Sequence, residues 1–324
     1  AALLERAEIL IGQGKQEEAL ADVEAVRQRQ PNLPEANYLR GSLLFQKKEL
    51  VAAQDALLQV VKVAPDHPGS LFLLGSINYE LGNLALAEQY LTSFVSRLPG
   101  YLPARLLLAA AQLKLEKPRP AIDTLIPALA QTPNDAQLLA LLGSAYLQAR
   151  EYAKGSEYLQ KAAQIAPDAA NIRTQLALSR LGEGKADDAV RELQGLVDLG
   201  QDVLQADLLL VQAYLQQKEF DKAIAAASEL VKKKPDDPVA RNLLGGAYLA
   251  KGEDDKARSE FEQALRLNPD FTTPALNLAL LEIKAGNRSA AQALYEKVIA
   301  KEPGNLGALL RLAGLAEQAG QTEQ

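Results

Sequence analysis

Residues 242–269 read NLLGGAYLAKGEDDKARSEFEQALRLNP: an apolar helical run, a glycine, a second helical run and a proline. Outward from Pro269, prolines recur at Pro31, Pro65, Pro99, Pro133, Pro167, Pro235 and Pro303, every interval being 34 residues except one of 68. Gln201 stands at the missing beat. So many prolines in one register mark an internal repeat. Proline lacks the N–H that a helix interior needs and clashes with the preceding turn, so each beat closes a helix.

Counted so that this proline is position 32, other positions fall into step. Position 20 is Ala19, Ala53, Ala87, Ala121, Gly155, Ala189, Ala223, Ala257 and Ala291. A small residue recurs there because two helices cross and leave no space for a larger side chain. Position 8 is also small, from Ala7, Gly41 and Gly75 to Ala313, with Val211 the exception. Position 7 is leucine from Leu74 through Leu312. Position 15 is glycine in six repeats, Gly14 and Gly320 among them, and Lys48, Glu116, Arg150 or Lys218 in the others. Glycine suits the left-handed conformation that often ends a helix. Each unit is therefore a helix of about a dozen residues, a tight turn and a slightly longer second helix.

This pattern resembles the tetratricopeptide repeat over the whole chain. The resemblance implies an all-α fold, a right-handed α-α superhelix of about nine and a half helical hairpins in a single array over residues 1–324. Repeats end near residues 33, 67, 101, 135, 169, 203, 237, 271 and 305, and a truncated unit occupies 306–324. Two departures stand out. Repeat 6 replaces its proline with Asp198-Leu199-Gly200-Gln201-Asp202, read as a bend or an alternative turn. Repeat 4 carries Pro118 and Pro120, which suit a loop and a helix start, and Pro127, which should kink the second helix. The chain opens on Ala1-Ala2-Leu3-Leu4 without an initiator methionine, and neither end has a polar capping helix. It reads as a processed product or a window from a longer array.

Composition narrows function by exclusion. Ala and Leu dominate, aromatics are 5%, and Cys, Met and Trp are absent, so disulfides, thiolate metal sites and cysteine nucleophiles are excluded. The net charge of -6, with both signs interleaved, argues against nucleic acid. The basic run Lys232-Lys233-Lys234 ends a helix and complements its dipole. No stretch approaches the ~20 apolar residues of a membrane span.

Catalysis fails on inventory. The single histidine, His67, follows Pro65 in a loop, with Asp66 and Ser70 close by, but loop neighbours have no fixed triad geometry. No carboxylate or histidine cluster has metal-ligand spacing, and no glycine-rich phosphate loop follows a strand. The acid pairs Asp187-Asp188 and Asp254-Asp255 start second helices, where negative charge suits the dipole. The chain reads as a non-enzyme without metal or cofactor.

In arrays of the kind this one resembles, first helices line a concave groove through positions 2, 5, 6, 9, 12 and 13. Over repeats 2 to 9 these are 48 positions, of which only Glu35, Glu80, Lys114 and Lys284 are charged, where the chain's 23% predicts about 11. Charge depletion marks the core of a binding patch, although leucines packed between repeats contribute to it. Tyr38, Phe45, Phe72 and Tyr79 fall at positions 5 and 12 of repeats 2 and 3, and they read either as anchors for a partner or as core filling. The chaperone-type carboxylate clamp is approached by Asn242, Asn277 and Arg311, but Gly246 and Gly307 replace polar groups it requires. The asparagine ladder of sugar transferases needs Asn at position 6 throughout, and only Asn277 supplies it.

The runs NIRTQLALSRLGEGKADDAVRELQ (171–194) and QADLLLVQAYL (205–215) resemble the tetratricopeptide lipoproteins of bacterial PEP-CTERM protein-sorting and exopolysaccharide systems. That resemblance implies an exported, periplasm-facing protein whose lipid anchor lies outside this chain, acting in the assembly of export machinery. The expected function is a scaffold holding a protein or peptide segment in its groove, without nucleic acid. Two other readings stay open: a regulatory array of a larger enzyme such as a glycosyltransferase, and a self-associating structural array. A cytoplasmic location is the alternative to the periplasm.

Overall fold

The computed structural model describes residues 2–198 and 204–318, and every regular element in them is helical. The chain divides into two compact units, residues 1–168 and 169–324. The first holds α1 (Ala2–Gly12), α2 (Gln16–Arg29), α3 (Pro34–Gln46), α4 (Leu50–Val63) and α5 (Pro68–Glu80). It continues with α6 (Leu84–Arg97), α7 (Leu102–Lys114), α8 (Pro118–Leu125), α9 (Ala136–Gln148) and α10 (Tyr152–Ile165). The second holds α11 (Ala170–Gly182), α12 (Ala186–Asp198), α13 (Leu204–Gln216), α14 (Phe220–Lys233) and α15 (Pro238–Lys251). It ends with α16 (Asp254–Leu267), α17 (Thr272–Lys284), α18 (Arg288–Lys301) and α19 (Leu306–Gln318). Odd-numbered helices are the first of each hairpin and even-numbered ones the second.

One turn joins every hairpin. The residue at position 15 is left-handed in each of the first nine repeats, whether glycine (Gly252, φ 87°) or not (Lys48 64°, Glu116 58°, Arg150 61°, Lys218 59°). The next N–H then reaches back to the carbonyl of position 11, as in Glu49 N to Leu44 O (2.9 Å) and Glu253 N to Tyr248 O (2.9 Å). This closure takes up a carbonyl that the helix end would leave unbonded.

Hairpins close on a paired position. A Cβ placed on Gly41 or Gly75 would lie 2.5 Å from Cγ of Leu57 or Leu91, and one on Gly245 would lie 2.6 Å from the Phe261 ring. Position 8 is small because position 24, sixteen residues on, is large. Val211, the sequence exception, meets the reverse arrangement, since Ala227 stands at its position 24 and both are fully buried.

Pro127 acts as expected. α8 stops at Leu125 and the chain continues as a 3-10 turn over Ile126–Ala130. Arg105 on α7 donates to the Thr124 carbonyl (2.6 Å), covering an acceptor at the broken end. The substituted junction at Leu199-Gly200-Gln201-Asp202 and Gly320 lie outside the described residues. Successive repeats are keyed by a recurring polar link from position 14 back to position 18 of the hairpin before. Lys47 bonds Glu17 (3.0 Å), Gln217 bonds Asp187, and Lys251 bonds Asp221 (2.8 Å).

Candidate functional site

The four aromatics singled out in repeats 2 and 3 are all half-buried on α3 and α5. Tyr38 and Phe45 pack against the core formed by Leu44, Leu57, Leu74 and Ile77. Phe72 and Tyr79 pack against a separate core around Leu71, Leu91 and Leu108. Their ring contacts run outward from the strip. Tyr38 meets His67 edge-on at 4.7 Å, and Phe72 joins Phe94 (5.3 Å) and Tyr101 (5.4 Å) in a three-ring cluster. Each ring thus sits partly in a core and partly at the surface. Burial pushes the Tyr38 hydroxyl above its ordinary pKa.

The few groove charges are largely engaged. Glu80 pairs with Lys48 (3.1 Å), and Lys48 also stands 5.6 Å from the Phe45 ring centre. Lys114 lies 4.3 Å over the Tyr79 ring, a close cation–π contact, and Lys284 pairs with Asp254 (2.5 Å). What repeats 2 and 3 present is therefore an aromatic strip beside the Glu80–Lys48 pair, with Glu35 exposed at the start of α3.

In the second unit, Asn277 on α17 donates to Asn242 on α15 (3.1 Å), so two of the three polar groove residues are brought together. Arg311 is exposed on α19. The groove leucines at positions 6 and 12 are mostly half-buried, as packing between repeats requires.

His67, Asp66 and Ser70 have other work. His67 is the N-cap of α5, its Nδ1 accepting from the Ser70 N–H at 3.1 Å, and Asp66 pairs with Arg97 of α6. Among the described residues no group of three or more His, Asp or Glu could hold a metal, and no helix is long and apolar enough to cross a membrane.

Sequence reasoning missed a cleft in the second unit. A cleft of about 970 Å³ opens between α12 and α14 with Leu210 and Tyr214 of α13 in its lining. Ala225 and Ala226 line its α14 wall. Position 23, which is Ala226 here, is Tyr90 or Tyr158 in other second helices, and Tyr158 stacks on Tyr146 at 5.5 Å. The alanine run 225–227 was the available signal, and it reads in sequence as ordinary helix former.

Comparison with known proteins agrees with this architecture. Three models of the tetratricopeptide repeat match: one at 4–53, 51–101 and 174–238, another at 78–145, 214–282 and 282–324, and a third at 136–169. No curated protein sequence matches the chain significantly. Among solved structures, a tetratricopeptide repeat protein from Parabacteroides merdae is similar at TM-score 0.65 and 14% identity, over 77% of this chain and 98% of that one. The C-terminal part of a repeat protein from Cytophaga hutchinsonii gives 0.57 at 15%, over 74% and 99%. The Cut9–Hcn1 hetero-tetramer of the APC/C gives 0.52 at 16%, over 98% of this chain and 69% of that one. At such identities the likeness speaks for the fold alone. With the repeat models spanning nearly all of its length, the chain belongs to the tetratricopeptide repeat family.

Proposed function

We propose that this protein is a non-catalytic interaction scaffold that holds a segment of a protein partner along the first-helix face of repeats 2 and 3. The observation that carries the reading is the half-buried state of Tyr38, Phe45, Phe72 and Tyr79. Rings fixed in a core by one edge and open at the other offer large contact area at little ordering cost. The pairing of Glu80 with Lys48 and the seat of Lys114 over the Tyr79 ring reduce the desolvation cost of covering the strip. Asn242, Asn277 and Arg311 are the polar counterpart in the second unit.

The resemblance of residues 171–194 and 205–215 supports placing this scaffold at the periplasmic face of the envelope, in exopolysaccharide and PEP-CTERM protein export. Its membrane contact would then be a lipid anchor outside residues 1–324. Fractionation of the native cells tests that placement, and recovery in the cytosol would remove it.

The binding surface is tested by photo-crosslinking from Ser76, on the first-helix face between Phe72 and Tyr79, with Glu157 on the outer helix α10 as control. The expected result is a partner crosslinked from position 76 and released by Phe45→Ala with Tyr79→Ala. Equal crosslinking from position 157, or capture only from positions in the α12–α14 cleft, would overturn the site.

A further inference from the structure

We infer that His67 makes the binding face of repeats 2 and 3 acid-labile, because its neutral imidazole caps the helix that carries half of that face. A backbone N–H can only donate, so the Ser70 N–H at 3.1 Å requires Nδ1 to be unprotonated, with the ring proton on Nε2. Ser70 Oγ lies 2.9 Å from the same nitrogen. Ser70 is fully buried, so while the ring is in place its N–H has the imidazole rather than water as acceptor. Protonating Nδ1 removes the lone pair used by the cap and places a cation at the positive end of the α5 dipole.

Ser70 Oγ can accept from a protonated Nδ1, but that exchange still leaves the Ser70 N–H without its acceptor. Asp66, next in the loop, is paired with Arg97 of α6. From α3 comes Tyr38, an uncharged ring edge-on at 4.7 Å. Tyr38 also rests on Gly69, where a Cβ would fall 2.6 Å from its ring. An imidazole leaving the cap therefore shifts the surface on which Tyr38 packs. The neutral form is the capping form, so the cap is intact while Nδ1 is unprotonated and is lost when acid protonates it.

The switch itself is tested without any partner. Hydrogen exchange of the Ser70 amide is followed in the whole chain, and protection should fall about fivefold from pH 8 to pH 5 beyond the intrinsic pH effect. His67→Asp keeps a capping side chain, as Asp135 and Asp237 do at α9 and α15, and should abolish the fall. The Tyr38 ring resonances should move with the imidazole signal in the wild type alone. Unchanged protection, or the same loss in His67→Asp, overturns the inference. The effect on function rests on the proposed binding face, and crosslinking from position 76 at both pH values reads it separately. Loss of protection with undiminished crosslinking would keep the acid-labile cap and overturn its control of binding.

Discussion

Repeats 5 and 7 solve one packing problem in opposite ways. In repeat 5 the first helix offers Gly143 and the second fills the space with Leu159, whose Cγ a Cβ on Gly143 would overlap. In repeat 7 the first helix offers Val211 and the second retreats to Ala227, and both are fully buried. What the repeat conserves there is a combined volume across the helix crossing, since interiors packed at crystal-like density tolerate neither a void nor an excess methyl group. Repeat 8 carries the first solution further, with Gly245 against Phe261, which is 0% exposed.

The sharpest break in that comparison is Phe261→Ala. Gly245 has no side chain to move into the space, so a cavity remains and the cost should be about 3–5 kcal/mol. Urea unfolding of the whole chain checks it, and a loss below about 1 kcal/mol would show that the hairpin collapses freely. A finer test copies repeat 7 into repeat 5. Gly143→Val alone should cost about 1–3 kcal/mol by overpacking, and Leu159→Ala alone about 2–5 kcal/mol. Together they should cost less than the sum by at least about 1 kcal/mol, because each makes room for the other. Strict additivity would break the volume rule.

These pairs also mark how far the sequence could be read. The proline beat, the small residues at positions 8 and 20 and the kink at Pro127 were legible because each constrains its own helix. The partnership of Val211 with Ala227 was not, because it is a relation across the hairpin and a column of residues displays only one side. An alternation hidden beneath the beat has the same cause. At position 4 of every second repeat, Asn37, Arg105 and Arg241 donate to the carbonyls of Pro31, Pro99 and Pro235, while Arg173 binds Glu192. Between them stand Leu71, Leu139, Asp207 and Ala275, so over repeats 2 to 9 the pattern there recurs every 68 residues, and Leu309 ends it. For the candidate site, the residues could be named but their state could not. Spacing put Tyr38 and Phe72 at the same position of successive first helices, whereas His67, Phe94 and Tyr101, which pack on these rings, come from other elements.

The smallest effect separates two repeats that share a strained turn. Arg150 and Lys48 both hold the left-handed conformation without being glycine, at φ 61° and 64°. That conformation costs a side-chain-bearing residue roughly 1–2 kcal/mol, and glycine gives back part of the gain as lost backbone freedom. Arg150→Gly, at an exposed position, should therefore raise stability by about 0.5–1 kcal/mol. Lys48→Gly relieves the same strain but removes the ion pair to Glu80 and the cation over Phe45, so its gain should be smaller. The two melting curves decide what Lys48 is for. If both substitutions stabilise equally, the lysine contributes nothing to its repeat and its contacts are incidental. If Lys48→Gly gains less, the side chain holds the edge of the aromatic strip in place, and the strained turn is tolerated in order to put it there.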